Sequence, residues 1–343
     1  MTLHRSLLPR AIVTLLSASS YYPTSSTFLV PRKHFSTTTA MAVNAKVIDS
    51  HLHIWATASE STSDYPYSSP DQTPPPNLQN VAFPSALLEL MSKAGVDGTL
   101  IVQPINHKFD HSYVKNAIKT YPEKFKGMML FDPSLSPKMA IDRLEELVLA
   151  GFVGVRFNPY LWPDGQPMSG TCEDGADGSG MAVYRRCGEL NIPVGVMCFK
   201  GLGLHYEDIL NLISKSPKTT LILDHMGFCA LNEKGDQAFQ QLLSLADYPN
   251  VMIKVSALFR NTGDVDQFPY DKVRKLRFEP LLERFGAKRL MMGTDFPYVL
   301  ETEGEYEGAV NAVKSWLEGE ERDAVMGGTA ELAFGKWGQT REG

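Results

Sequence analysis

The chain has 343 residues, 43% of them hydrophobic and 21% charged, enough to bury one large core or two ordinary ones. Its formal net charge is −6. The first 44 residues carry Arg5, Arg10, Arg32 and Lys33 but no acid, so the remainder holds 29 basic against 39 acidic side chains, about −10, which argues against nucleic acid or an anionic membrane surface as a partner.

Taken in chain order, residues 1–44 are rich in Ser and Thr ("LLSASSYYPTSSTFLV", "FSTTTAMA") and contain no apolar run of about 20 residues. This is the composition of an organelle transit peptide, disordered and separate from the fold. The Ser/Thr content favours a chloroplast over a mitochondrion, although Arg5, Arg10 and "RKHFS" also suit the latter; a shorter form starting at Met41 would be cytosolic. Residues 45–343 read as a single domain. Short apolar runs at Lys46–Ser50, Gly98–Val102, Gly127–Phe131, Val153–Phe157, Pro193–Met197, Thr220–Leu223, Val251–Val255 and Arg289–Met292 are the expected strands. Between them lie helix-period segments such as "FPSALLELMSKAG", "SPKMAIDRLEELVLAG", "YEDILNLISKS" and "DKVRKLRFEPLLERFG". Strands alternating with helices indicate parallel βαβ units, and eight of them fit a (β/α)8 TIM barrel. No GxGxxG or GxxxxGK[ST] phosphate loop is present to suggest an open nucleotide-binding sheet. Insertions follow strand one (residues 57–80, read as a lid) and strand four (residues 160–178), at the barrel end where active sites are built. Cys172, Cys187, Cys198 and Cys229 form no CxxC, which fits a reducing compartment without a thiolate zinc site.

The polar residues at the predicted strand ends are Asp49, His51 and His53, then Gln103, Asp132, Arg156 with Asn158, Met197 with Cys198, Asp224 with His225, Ser256 with Arg260, and Thr294 with Asp295. Strand residues two apart share a face, so His51 and His53 are aimed at one point in the barrel mouth. Two imidazoles and a carboxylate can hold a zinc ion that acidifies a bound water. His107 and His111, on a polar loop, read as solvated, and His205 as a helix-start residue.

With "DSHLH", "PEKFKGMMLFDP", "GVRFNPYLWP", "LDHMG" and "MGTDFPY" in this order, the chain resembles the amidohydrolase superfamily, and within it the amidohydrolase-related barrels similar to 2-pyrone-4,6-dicarboxylate lactonases and sugar lactonases. The resemblance implies a hydrolase of C–O or C–N bonds, in some members a decarboxylase, and a barrel that is often a homodimer. It makes His51 and His53 the first-strand pair, His225 the sixth-strand histidine and Asp295 the general base. Where zinc-dependent members have a fifth-strand histidine, this chain has Met197 and Cys198, the latter read as a buried inert thiol; the lactonase branch departs at the same place and is considered to work without metal.

The preferred reading is therefore hydrolysis of a lactone of a small carboxylate or sugar acid with no required cofactor. Asp295 activates water while His51, His53 and His225 donate to the carbonyl oxygen. An effective base wants a pKa raised by burial, which charged imidazoles would oppose. Arg156 and Arg260 imply a small anionic substrate, with Asn158, Tyr160 and Gln103 lining its pocket. The alternatives are a mononuclear zinc hydrolase or decarboxylase using His51, His53 and Asp295, and a barrel that only binds a metabolite.

Overall fold

The computed structural model describes residues 45–338, so the transit-peptide reading lies outside the described residues. Eight strands run in sequence order, β1 (Ile48–Leu52), β2 (Gly98–Val102), β3 (Phe125–Leu130), β4 (Phe152–Phe157), β5 (Val194–Val196), β6 (Leu221–Leu223), β7 (Val251–Val255) and β8 (Leu290–Met292). Every neighbouring pair is parallel. The edge between β8 and β1 is closed by hydrogen bonds from the Asp295 N–H to the His51 carbonyl (2.8 Å) and from the His53 N–H to the Phe296 carbonyl (2.7 Å). The result is the (β/α)8 TIM barrel expected from the alternation.

β2 and β7 have the expected bounds, but β1 starts two residues later than the apolar run suggests. The Val47 N–H donates to the Asp97 carboxylate, so the strand ladder begins only at Ile48. This shift keeps His51 inside the strand and puts His53 just beyond it.

The crossover helices include α1 (Pro84–Ala94), α2 (Ser112–Thr120), α3 (Pro137–Leu149), α4 (Ser179–Leu190), α5 (Tyr206–Lys215) and α6 (Glu233–Ser244). Proline opens α1 and α3, where a missing N–H costs nothing. Gly95 ends α1 with φ +67°, a left-handed cap that glycine adopts without strain. The segment "DKVRKLRFEPLLERFG" is less regular than its periodicity suggests: an α-turn at Asp271–Val273 passes through a π-turn at Arg274–Phe278 into α7 (Glu279–Phe285).

Strand side chains Ile48, Leu100, Met128, Ile222 and Met291 fill the barrel interior with Phe334 and Trp337 from the C-terminal segment. That packing leaves no room for a side chain at position 98, where a Cβ would come within 2.2 Å of the Trp337 ring. With this lower end plugged, chemistry is confined to the opposite rim.

The insertion at residues 57–80 is an ordered segment, pinned rather than hanging over the mouth. Trp55 Nε1 donates to the Leu78 carbonyl, Tyr67 Oη to the Ala56 carbonyl, and the Ser68 N–H to the Asn106 carbonyl.

Candidate active site

Asp295 lies just past β8, with a left-handed backbone (φ 64°) that turns its carboxylate into the barrel mouth. Its Oδ1 is the point on which three imidazoles converge: His53 Nε2 at 3.5 Å, His225 Nε2 at 3.8 Å and His51 Nε2 at 3.9 Å. Its Oδ2 accepts from Arg260 Nε at 2.9 Å. All four predicted catalytic residues are therefore brought together and buried. The sixth-strand histidine reaches the cluster through unusual backbone, since His225, Met226, Gly227 and Phe228 all have positive φ. Such a strained run persists where surrounding structure enforces it, as at functional sites.

A second layer aims the imidazoles. Asp224, at the end of β6 and fully buried, lies 3.2 Å from His51 Nδ1, 3.2 Å from Lys254 Nζ and 3.1 Å from Arg156 Nε. Lys254 Nζ is also 3.2 Å from His51 Nδ1. His53 Nδ1 donates to the Val102 carbonyl at 2.8 Å, and His225 Nδ1 is 2.8 Å from Ser256 Oγ. Gly293 admits this close packing: a Cβ there would sit 2.9 Å from the Cβ of His51.

Asp49 does not join the rim. It sits beneath it and accepts from the His51 N–H, the Thr294 N–H and the Thr294 hydroxyl. The two buried aspartates accordingly titrate in opposite directions. Burial raises Asp49 to about 6 against the pull of its neutral donors, whereas for Asp224 the same burial is outweighed by Lys254, His51 and Arg156, which hold it well below the usual carboxylate range. Asp295 behaves like Asp224: burial pushes it up, but His225, the His53 contact and Arg260 prevail and keep it ionised far into acid. The balance left open by the sequence thus falls on the side of the opposing groups. Burial also depresses the histidines, His225 to about 4 and His51 well below its ordinary value, with Lys254 adding to the latter. Both are neutral near pH 7.

The cluster forms the floor of a cavity of about 500 Å³ whose wall includes Gln103, Arg156, Asn158, Tyr160, Arg260 and Tyr298. Arg156 and Arg260 each spend Nε on an acid of the site, on Asp224 and Asp295 respectively. Their terminal guanidinium nitrogens have no hydrogen-bond partner among the described residues. Gln103 Nε2 is committed to the carbonyls of Lys108 and Asp110, leaving a buried Oε1 without a partner. Asn158 Oδ1 accepts from the Tyr160 N–H, and Tyr160 Oη accepts from the Lys200 N–H, so these two brace the loop as well as line the pocket.

Three sequence-based expectations change. His107 and His111, read as solvated, are buried: the 57–80 insertion engages the first, whose Nδ1 donates to the Pro66 carbonyl, and the second packs against Phe152 with its Nδ1 donating to the Phe109 carbonyl. His107 Nε2 accepts from the Ala56 N–H and His111 Nε2 from the Leu130 N–H. Asp132 turns away from the site and caps Ser134. His205 stands at the N-cap position of α5, as its helix-start reading expects, with its ring 5.2 Å from that of Tyr160 and no side-chain cap bond. Cys198 is fully buried and its thiol is pushed up by that burial, which agrees with an inert thiol.

The residues that sequence reasoning missed are Lys254 and Tyr298. A lysine in the middle of the apolar strand "VMIKV" was the available signal for the first, since a fully buried lysine needs a partner. Tyr298, whose ring lies 5.0 Å from the Arg260 guanidinium carbon and 6.3 Å from the His53 ring, gave no signal beyond its place in "DFPY".

A closed parallel barrel with histidines and an aspartate at the C-terminal rim defines a barrel hydrolase. The chain matches the amidohydrolase family (Amidohydro_2) over residues 48–336 and belongs to it. It is 26% identical over 259 residues to a 4-sulfomuconolactone hydrolase of Rhizobium radiobacter, an alignment covering 73% of this chain and 75% of that protein. In fold it is similar to a putative 2-pyrone-4,6-dicarboxylic acid hydrolase of Pseudomonas putida, with TM-score 0.67 and 22% identity, covering 87% of this chain and 100% of that one. An amidohydrolase of Burkholderia multivorans with bound zinc gives TM-score 0.64 and 21% identity, covering 84% of this chain and 99% of that one. The chain is a hydrolase of the lactonase-like amidohydrolase group.

A divalent cation at this rim needs nitrogen lone pairs and a carboxylate that face one point. A carbonyl only accepts, so His53 Nδ1 carries a proton, and its Nε2 faces Asp295 at 3.5 Å. His51 Nε2 is buried with no hydrogen-bond partner. One ligand atom from each of His51, His53 and Asp295 lies within 4.8 Å of the others. Two tethered imidazoles and a carboxylate arranged in this way suit a divalent cation.

Proposed function

We propose that this protein hydrolyses a lactone of a small carboxylate or sugar acid. The observation that carries the reading is the convergence of three imidazole Nε2 atoms on Asp295 Oδ1 at the floor of a cavity whose wall offers unspent guanidinium nitrogens. The similarity to a 4-sulfomuconolactone hydrolase supports it. Arg260 fixes Asp295 Oδ2, leaving Oδ1 to orient a water and take its proton during attack on the ester carbonyl. The depressed pKa makes Asp295 a weak base that is always available, which suits an electrophilic lactone better than an amide. His225 and His51 can stabilise the oxyanion in the tautomer that carries the proton on Nε2, the nitrogen each turns toward Asp295, and Arg156 and Arg260 would orient a carboxylate of the substrate.

A second reading is favoured by the grouping of one ligand atom each from His51, His53 and Asp295 within 4.8 Å of one another. Here His51, His53 and Asp295 hold a divalent metal, whose chemistry when bound is Lewis-acid polarisation of the carbonyl.

The test is a lactone panel, from pyrone dicarboxylates to sugar-acid lactones, followed by acid release in a pH-stat, with metal content counted by elemental analysis of the same preparation. Hydrolysis without stoichiometric metal, lost in Asp295→Asn, supports the first reading. About one metal ion per chain, with activity lost on chelation, supports the second. Release of carbon dioxide from aryl carboxylates in place of lactone opening would replace both with a decarboxylase.

A further inference from the structure

The cavity over Asp295 shares part of its wall with a neighbour. Phe199, Lys200, Phe228 and Arg260 also line an adjoining hollow of about 530 Å³, comparable in size to the first, which extends to Lys234 and Phe259. Its lining is chemically one-sided, with two lysines, an arginine and three phenylalanines but no acid. On a body with a net charge near −10, a hollow lined by cations alone departs from the general surface and focuses a positive potential. Neither Lys200 nor Lys234 forms an ion pair among the described residues; Lys200 Nζ instead rests 5.0 Å above the Tyr160 ring.

The aromatic residues form a continuous path out of the catalytic floor. The Phe228 ring stands edge-on to His225 at 4.9 Å and to Phe199 at 6.0 Å, and Phe199 leaves 56% of its surface exposed. The positive φ of Phe228 (55°) helps to turn this ledge toward the mouth. Phe199 and Phe228 together offer a flat apolar ledge that a planar apolar group can cover.

We infer that this hollow is a second subsite, taking a distal anionic group that the substrate carries on a flat apolar spacer beyond its lactone ring. The inference rests on the lactonase reading for the ring itself but on a separate set of residues for the distal group. Lys200 and Lys234 would hold the anion, and Phe199 and Phe228 the spacer. The natural substrate is then larger than a simple monocyclic lactone.

The test has a binding arm and a kinetic arm, each applied to the wild type and to Lys200→Gln/Lys234→Gln. In the first, 2-naphthoate and its neutral amide are titrated calorimetrically; neither contains a cleavable ester. The wild type should bind the anion about ten-fold more tightly than the amide, and the double variant should erase that preference while keeping the amide's affinity. In the second, aryl-substituted lactones with a distal carboxylate or carboxamide are compared. kcat/KM should fall about ten-fold in the double variant for the carboxylate alone. Equal binding of the two naphthalene probes by the wild type, or a preference surviving in the double variant because the anion sits on Arg156 and Arg260, overturns the subsite. Failure of every lactone to turn over counts against the lactonase reading only, and the binding arm still decides the subsite.

Discussion

Lys254→Met probes the layer on which the catalytic geometry rests. Lys254 is fully buried on β7, and its ammonium lies 3.2 Å from Asp224 Oδ1. At that separation and an effective dielectric constant of about 20, the attraction is about 5 kcal/mol. Removing the ammonium also removes its desolvation cost, but Asp224 then remains ionised and buried with only Arg156 and His51 beside it. Breaking one side of a buried pair costs about 3–5 kcal/mol, and we expect the lower half of that range because Arg156 remains 3.1 Å away. In thermal unfolding followed by circular dichroism this corresponds to a drop in Tm of about 5–6 °C for a chain of this size. Lys138→Met is the control. Its ion pair with Asp142 is shorter, 2.6 Å, but both side chains are mostly exposed, so Tm should not change measurably. If Lys254→Met is as stable as the wild type, Lys254 is not a charged partner of Asp224, and the account of how His51 is oriented fails with it.

Asp295→Asn should lower kcat/KM by at least about 10²-fold at an unchanged far-ultraviolet spectrum; retained activity would remove Asp295 from the chemistry. Gly293→Ala places a methyl 2.9 Å from the Cβ of His51 and should cost about 1–3 kcal/mol together with most of the activity, measured by urea unfolding and by the lactone assay. His111 gives a pH prediction, because burial, with Arg143 adding to it, pushes its pKa from 6.5 down to about 4. The unfolded ring takes a proton first as pH falls, so its contribution is full above pH 6.5 and is lost on the way to about 4, amounting to about 3 kcal/mol. Stability curves of His111→Gln across that window should be flatter than those of the wild type by about one proton; an unchanged slope would mean that His111 does not titrate there.

The sequence by itself determined the architecture and most of the residues of the candidate site. Eight apolar runs spaced by amphipathic helices admit few folds other than a parallel barrel, because parallel neighbours need crossovers and each helix must bury one face. A barrel of this kind places residues from strand ends on one rim, so His51, His53, His225 and Asp295 could be named without coordinates. What only the tertiary structure decided were relations between residues far apart in the chain. Lys254 and Asp224, thirty positions apart, meet because β6 and β7 are neighbours, and their charges compensate each other where no water reaches. His107 stands on a polar stretch that looks solvated until the segment at 57–80 folds over it, and His111 is taken in between Leu130 and Phe152. The direction of each carboxylate's pKa was equally out of reach: Asp49 and Asp224 are both buried, yet one faces neutral donors and the other the cationic Lys254 and Arg156 together with His51. Pattern and propensity are local and survive in a one-dimensional reading, whereas desolvation and charge pairing depend on which distant side chains share a volume, and only the closed barrel sets that.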